Sequence, residues 1–232
     1  MVYIKMKRDY INERRLLISK LIKSGILKTK SYVNVMLKVP RHLFVWPGYE
    51  DYAYVDHALP LGDTGQTISA PHMCAYILEE LRPNVGDYIL EIGAGSGYQA
   101  ALLAETIAPT GHVVTIEIVD ELVQFARKNL EKAGYEDNVT VIRGDGTLGY
   151  PPLYEKEIYD KILVTAAAPY VPKMLIKQLK VGGRIVIPIG NLYVQTLTII
   201  EKLEDKIVKR ESIGCMFVPL RGANGWKTKK PL

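Results

Sequence analysis

The most constraining feature of this sequence is a short apolar strand, Tyr88–Ile92, that runs into the glycine-rich turn Gly93–Gly97 and then into an Ala- and Leu-rich helix, Tyr98–Ile107. Glycines let the backbone turn tightly and let a ligand approach it, and the first turn of a helix offers unpaired N–H groups. A strand, a glycine turn and a helix in this order therefore predict a nucleotide site in an open α/β sheet.

The chain beyond this turn alternates strands with helices. The predicted elements are, in order, His112–Ile116, Val119–Ala133, Val139–Ile142, Tyr159–Val164, Pro172–Leu179 and Arg184–Ile189. Strands separated by helices of this length predict βαβ units and a mostly parallel sheet. Two segments of alternating apolar and polar residues, Gln195–Ile200 and Lys206–Ser212, predict an antiparallel hairpin added at the C-terminal end of the sheet.

The first 80 residues follow a different pattern. Apolar residues at helical spacing predict helices over Asp9–Lys23 and Ser31–Val39. The irregular stretch that follows, Pro40–Pro71, is of a kind that is usually functional or disordered, and its aromatic side chains argue against disorder. We predict a single domain over 1–232, made of a helical and loop substrate-side extension over 1–80, a nucleotide-binding core over 81–220 and a C-terminal tail over 221–232 whose role stays open.

The spacing of the glycines separates two kinds of nucleotide ligand. A dinucleotide fingerprint reads G-x-G-x-x-G, but Tyr98 takes the place of its third glycine, which disfavours NAD. Acids stand at the carboxyl ends of three successive strands, at Glu91, Glu117 and Asp145. A carboxylate there reaches the ribose of a bound nucleotide. The pattern resembles the Rossmann-like class I S-adenosylmethionine methyltransferases. The sulfonium and the amino group of their cofactor are positively charged, so they also favour nearby acids. The alternative is a glycine turn that binds no ligand.

A longer set of sequence runs resembles the protein-L-isoaspartate (D-aspartate) O-methyltransferases. The runs are Val39–Arg41, Ala58–Gly62, Gly65–Met73, Glu91–Ala101, Gly144–Gly146, Val164–Pro169, Gly182–Gly183 and Phe217–Leu220. They cover nearly the whole chain from about Val39, and TISAPHM at Thr67–Met73 is highly specific to that family. The resemblance implies transfer of a methyl group from S-adenosylmethionine to the free α-carboxylate of L-isoaspartyl or D-aspartyl residues in damaged proteins, as a repair reaction.

The resemblance and the strand ends together give the expected site residues. The expected cofactor-binding residues are Thr67, Ile68, Glu91, Gly93, Ala94, Gly95, Glu117, Ile118, Asp145 and Gly146. The expected substrate-binding residues are Ser69, Ala70, Pro71, His72 and Thr165.

Ser69 matches the family's active-site serine and is the expected catalytic residue. We expect its hydroxyl to orient the acceptor carboxylate and not to form a covalent ester, because no His–Asp pair at recognisable spacing supports a serine nucleophile. An alternative role for Ser69 is to cap the predicted helix Met73–Leu81. His72 is as often structural as substrate-binding in such a position, so both roles stay open.

Charge and composition bear on partners and compartment. The net charge of +5 keeps an RNA or small-molecule acceptor as the alternative, but lysines are scattered apart from terminal clusters near 5–8 and 227–230, so we expect no nucleic-acid partner. No apolar run approaches the roughly 20 residues that span a bilayer, so no membrane partner is expected. The spacing of the two cysteines, Cys74 and Cys215, indicates neither a disulfide framework nor a metal site. The sequence therefore predicts a reducing, cytoplasmic compartment. A scaffold without turnover is a further alternative, and the sequence leaves the oligomeric state open.

Overall fold

The computed structural model describes residues 8–227, and a seven-stranded sheet lies at its centre. The strands are β1 (Leu59–Pro60), β2 (Thr67–Ile68), β3 (Tyr88–Ile92), β4 (His112–Glu117), β5 (Val139–Arg143), β6 (Tyr159–Val164), β7 (Leu179–Gly190), β8 (Gln195–Lys202) and β9 (Ile207–Cys215). The helices are α1 (Tyr10–Lys23), α2 (Lys30–Lys38), α3 (Pro71–Leu81), α4 (Tyr98–Ile107), α5 (Asp120–Ala133) and α6 (Lys173–Gln178).

The large sheet has the strand order β5-β4-β3-β6-β7-β8-β9. The first five of these strands pair in parallel, and β8 and β9 add to them in antiparallel register. The order changes direction at β3, which starts the nucleotide-type turn and lies between β4 and β6. Ligands of open α/β sheets bind at such a switch point, outside the carboxyl ends of the strands. The predicted α/β fold with a C-terminal hairpin is confirmed.

The two faces of the sheet are buried by different elements. Side chains alternate along a strand, so Ile89 of β3 packs with residues of α1 to α5, whereas Leu90 and Ile92 pack on the opposite face with residues of α6. The N-terminal helices contribute to the same core cluster as α4 and α5. The division of the chain at residue 80 into an extension and a core stays a prediction.

Two segments differ from the predicted elements. β7 begins at Leu179 instead of Arg184, because the strand continues through Gly182–Gly183 and the pairing with β6 shifts register there. The glycine pair accompanies an irregularity in the strand and does not end it. The irregular region before α3 also contains a short hairpin, in which Leu59 pairs with Ile68 and Pro60 with Thr67. That hairpin carries the Thr67–Met73 segment toward the carboxyl ends of the parallel strands.

None of the helices within residues 8–227 is long and apolar enough to cross a membrane. The basic clusters near the termini fall largely outside the described residues. Of the residues in them, Arg8 forms an ion pair with Asp51, with 3.0 Å between Nη1 and Oδ1.

Candidate active site

A cavity of about 800 Å³, counting its open mouth, lies at the carboxyl ends of β3, β4 and β6. Ten of the predicted site residues line it: Thr67, Ile68, Ser69, Gly93, Ala94, Gly95, Glu117, Ile118, Gly146 and Thr165. Five others do not: Ala70, Pro71, His72, Glu91 and Asp145. The structure thus brings most of the predicted residues to one site, and their roles in binding stay predictions.

The glycine turn is shaped by its contacts with neighbouring strands and helices. Gly93 has a φ of +98°, and a Cβ atom there would lie 2.3 Å from Thr165 Oγ1. The Thr165 hydroxyl lies 2.7 Å from the Gly93 carbonyl oxygen, to which it donates. Gly97 has a φ of +86°, and a Cβ there would meet Leu130 of α5 at 3.2 Å. Only glycine suits these positions, so β3 can turn sharply into α4 and leave room for a ligand.

Glu117 is buried at the end of β4 and organises the turn. Its Oε2 accepts a hydrogen bond from the Gly95 backbone N–H at 2.9 Å. Its Oε1 accepts from the N–H groups of Ile118 at 2.8 Å and Val119 at 3.0 Å. Three backbone donors fix this carboxylate beside the cavity, where it keeps acceptor capacity for the hydroxyl groups of a ribose.

Asp145 follows β5, but its carboxylate binds the chain itself. Oδ1 accepts from Thr147, at 2.9 Å from the backbone N–H and 2.6 Å from the hydroxyl, and Oδ2 accepts from the Ala223 N–H at 2.7 Å. Its neighbours Gly144 and Gly146 line the cavity, whereas Asp145 does not. The carboxylate therefore holds the C-terminal tail in this structure.

Residues 218–221, where the core meets the C-terminal tail, form one wall of the cavity. The Trp226 indole N–H donates to the Ala167 carbonyl oxygen at 2.9 Å, and the Leu220 backbone N–H donates to the same oxygen at 2.8 Å. Hydrogen bonds with Ala167 and Asp145 thus keep the tail beside the end of β6, where the acceptor is expected to enter.

Ser69 lies half-buried in the cavity wall, just before α3. The N-cap of α3 is Ala70, and the helix has no side-chain cap, so the alternative in which Ser69 caps this helix is wrong. The reason is that the helix begins at Pro71, two residues earlier than predicted. The Ser69 hydroxyl forms no hydrogen bond within residues 8–227, so it is available to donate a hydrogen bond to a ligand.

His72 is held by an aspartate that sequence reasoning missed. Asp56 Oδ1 lies 2.9 Å from the His72 backbone nitrogen and 3.0 Å from His72 Nδ1. Asp56 therefore satisfies a free N–H in the first turn of α3 and orients the imidazole at the same time. A His–Asp pair does exist here, contrary to what sequence spacing indicated, but within the described chain no hydrogen bond joins it to Ser69.

Glu91 is the predicted residue with the most unusual surroundings. It is fully buried on β3, its Oε2 accepts from the Thr115 hydroxyl at 2.6 Å, and its Oε1 has no partner within the described residues. Burial, with a smaller contribution from the charge of Glu117, raises the pKa of the Glu91 carboxyl to about 8. A buried acceptor without a donor is costly, so a cationic ligand group beside it would be favoured.

The sheet of this chain is mostly parallel and ends in an antiparallel hairpin, and a glycine turn and buried acids lie at its switch point. This is the fold and site of the Rossmann-like S-adenosylmethionine methyltransferases. Residues 12–225 match the family model described as Protein-L-isoaspartate(D-aspartate) O-methyltransferase. The chain belongs to this family, as predicted.

Relatives and a solved structure agree with the family model. The chain is 53% identical to a protein-L-isoaspartate O-methyltransferase of Staphylothermus marinus, with 96% of this chain and 100% of that protein covered. It is 51% identical to the protein-L-isoaspartate O-methyltransferase of Methanopyrus kandleri, with 92% of this chain and 93% of that protein covered. A putative family member of Plasmodium falciparum, solved in complex with S-adenosyl-L-homocysteine, superposes with a TM-score of 0.80 at 29% identity and covers 90% of this chain and 98% of that one.

Proposed function

We propose that this chain is a protein-repair enzyme that transfers the methyl group of S-adenosylmethionine to the free α-carboxylate of L-isoaspartyl and D-aspartyl residues in damaged proteins. One observation carries the proposal. Thr67, Ile68 and Ser69 of the family-specific segment Thr67–Met73 line the same cavity as the glycine turn. Residues expected on the donor side and residues expected on the acceptor side therefore line one cavity.

Groups in the cavity lining and directly behind it suit this donor. Glu117 and the glycine turn offer acceptor capacity and an open backbone for an adenosine group. The unpaired Oε1 of the buried Glu91 suits an ammonium group. When bound, S-adenosylmethionine supplies an electrophilic methyl group on a positively charged sulfur. We propose that Gly93, Gly95 and Glu117 hold the nucleoside and that Glu91 faces the amino group.

The acceptor chemistry needs orientation more than proton transfer. An α-carboxylate is already ionised at neutral pH, so no general base is required. The free Ser69 hydroxyl donates a hydrogen bond to one acceptor oxygen and leaves the other oxygen nucleophilic. Apolar residues of the cavity wall, among them Ile68 and Val218, exclude water from the carboxylate. Alignment and desolvation of this kind supply a large part of the barrier reduction in such transfers. The backbone nitrogen of the following residue then attacks the carbonyl carbon of the methyl ester without the enzyme, and methanol leaves as the succinimide forms.

Paired peptides that differ only in aspartate or isoaspartate test this proposal. The protein is incubated with S-adenosylmethionine labelled in its methyl group, and base-labile label in each peptide is measured. We expect label in the isoaspartyl peptide alone, because the normal residue lacks a free α-carboxylate at that position. Equal labelling of the two peptides, or labelling of neither, would overturn the proposal.

Two further proposals concern the compartment in which the protein acts and the class of acceptor that it excludes. We propose a reducing, cytoplasmic site of action, which the two free cysteines, Cys74 and Cys215, support. We also propose that nucleic acid is not an acceptor. Methylation of RNA that falls steeply with added salt would contradict this, because phosphate contacts release counterions.

A further inference from the structure

Five buried side-chain polar atoms have no hydrogen-bond partner within residues 8–227, and all belong to three residues. They are Arg41 Nη1 and Nη2, Glu91 Oε1, and Gln99 Nε2 and Oε1. Buried polar groups in native proteins are nearly always paired, so unpaired ones need an explanation. Their chemistry differs, since the set offers a cation, an amide and a carboxyl group.

Gln99 is part of the cavity lining, and the other two residues are buried directly behind it, Glu91 next to the lining residue Ile92 on β3 and Arg41 against Tyr98. Gln99 is 8% exposed, stands in the first turn of α4 and lines the cavity directly. Arg41 Cζ lies 5.0 Å from the centre of the Tyr98 ring, and Tyr98 also lines the cavity. Burial raises the pKa of the neighbouring Cys74 thiol to about 11, while the charges of Arg41 and Glu91 act on that pKa in opposite directions. Cys74 is another residue of the cavity lining, so both groups act electrostatically on this part of the wall.

Arg41 is the costliest of the three to leave unpaired. Its side chain is 1% exposed, and its one hydrogen bond runs from Nε to the Ala53 carbonyl oxygen at 2.9 Å. No carboxylate within the described residues forms an ion pair with it. Burying a cation without an anion is strongly unfavourable, and contact with an aromatic face offsets only part of that cost. The site therefore favours a ligand that brings a negative charge.

We propose that Arg41 and Gln99 bind the carboxylate of the amino-acid end of S-adenosylmethionine, across from Glu91, which faces its ammonium group. The inference rests on the proposed function and extends it to two residues. Gln99 Nε2 donates a hydrogen bond to the carboxylate, and the guanidinium of Arg41 supplies the balancing charge behind it. A zwitterion suits all three residues, because its carboxylate accepts from Gln99 Nε2 and balances the charge of Arg41, and its ammonium group donates to Glu91 Oε1.

Two ligands that differ only at this end make the test specific. S-Adenosylhomocysteine has the amino-acid end, whereas 5′-methylthioadenosine keeps the adenosine and the thioether and lacks it. Binding of each to the full chain is measured by calorimetry, without turnover. We expect Gln99→Leu to weaken S-adenosylhomocysteine binding by about 10- to 100-fold, the usual range for a lost hydrogen bond to a charged group, and to leave 5′-methylthioadenosine binding within about twofold.

Arg41 is tested by Arg41→Met, with Arg41→Lys as the variant that keeps the charge. We expect the same selective loss in both variants, smaller in Arg41→Lys because lysine keeps the charge without the planar guanidinium. The matched control is Gln178→Leu, which removes another buried amide that is already bonded to Tyr150 and Pro151, away from the cavity. It should lower the melting temperature and leave the affinity ratio of the two ligands unchanged.

The outcomes separate the inference from its premise. Equal weakening of both ligands, or weakening of neither, in folded Gln99→Leu and Arg41→Lys would overturn the assignment and leave a structural role, such as binding buried water. If the unaltered protein bound neither ligand, the proposed function itself would fail instead. A change in the ratio of the two affinities in the Gln178→Leu control would also count against the assignment, since the ratio would then report general destabilisation.

Discussion

The two ends of the cavity satisfy their polar groups in opposite ways. At the nucleoside end, Glu117 accepts three hydrogen bonds from the backbone of the glycine turn and of the chain that follows β4. At the proposed amino-acid end, Gln99 in the lining and Glu91 and Arg41 behind it hold polar atoms without partners within the described residues. We therefore propose that the chain itself builds the nucleoside end and that a ligand completes the amino-acid end.

This difference has consequences for substitution. A change at the nucleoside end should damage the protein's own structure and ligand binding together. A change at the amino-acid end should weaken the ligand and spare the free protein, because a buried, unpaired group contributes little to folding or opposes it.

Glu117→Ala should have the largest effect. It removes the acceptor of three backbone N–H groups and the proposed ribose contact, so we expect affinity for S-adenosylhomocysteine to fall by about 100-fold or more and the melting temperature to fall as well. Calorimetry and thermal unfolding measure the two. Glu121→Ala, an exposed change on α5, is the control and should alter neither. A Glu117→Ala protein with unaltered stability would contradict the idea of a self-built nucleoside end.

Ser69→Ala should reduce turnover and leave the donor in place. It removes one hydrogen-bond donor to the acceptor carboxylate, so we expect kcat to fall by about 10- to 100-fold on an isoaspartyl peptide. Affinity for S-adenosylhomocysteine should change by less than about twofold, since the nucleoside contacts remain. Steady-state kinetics and calorimetry separate these effects. A large loss of S-adenosylhomocysteine binding would assign Ser69 to the donor instead of the acceptor.

The sequence predicted the fold and the family well and the polar contacts between distant segments poorly. The strand β3 and the helix α4 were predicted with their observed bounds, because their apolar periodicity is a local property. The Asp56–His72 pair joins residues 16 positions apart, and the Asp145–Ala223 contact joins residues 78 apart. Such pairs depend on how loops pack on the sheet, and no local pattern encodes them.

Arg41 and Gln99 illustrate the same limit at the cavity. Both lie within sequence runs that carry the family resemblance, yet neither is among the expected site residues. Arginine and glutamine are usually exposed, so the local sequence does not distinguish these two from surface residues. Only burial without a partner distinguishes them. At Ser69 the local sequence also fitted a helix cap, which the backbone does not use, because α3 begins two residues earlier than predicted.

The raised pKa of Glu91 predicts a pH dependence that differs between the free and the bound protein. Its pKa of about 8 exceeds the ordinary value of 4.5, so the free folded state prefers the protonated carboxyl. That contribution to stability is complete below the unfolded pKa and is lost as pH rises through about 8. An ammonium group beside Glu91 favours the ionised form, so binding of S-adenosylhomocysteine near pH 7 should release a proton.

Calorimetry in buffers of different ionisation enthalpy measures that proton release, and Glu91→Gln removes the titrating group. We expect Glu91→Gln to abolish the release, to lower S-adenosylhomocysteine affinity by about tenfold, and to flatten the fall of stability between the ordinary pKa of 4.5 and about 8. 5′-Methylthioadenosine, which lacks the ammonium group, should release no proton from the unaltered protein. Proton release with both ligands would place the source elsewhere.

Asp145→Asn should have the smallest effect and should show whether the third strand-end acid belongs to the chain or to the ligand. Asparagine can keep the bond from Thr147, but its amide N–H₂ group would face the Ala223 N–H, so the tail loses that anchor. We expect hydrogen exchange over 222–226 to accelerate and kcat/KM to fall a few-fold, about 1 kcal/mol for one lost hydrogen bond. S-Adenosylhomocysteine affinity should fall no further than kcat/KM. Trp226→Phe, which removes a different tail anchor and leaves the carboxylate intact, should give the same pattern, because both contacts hold the tail against the cavity. A loss of S-adenosylhomocysteine affinity confined to Asp145→Asn would instead mean that this carboxylate reaches the nucleoside once the donor is bound.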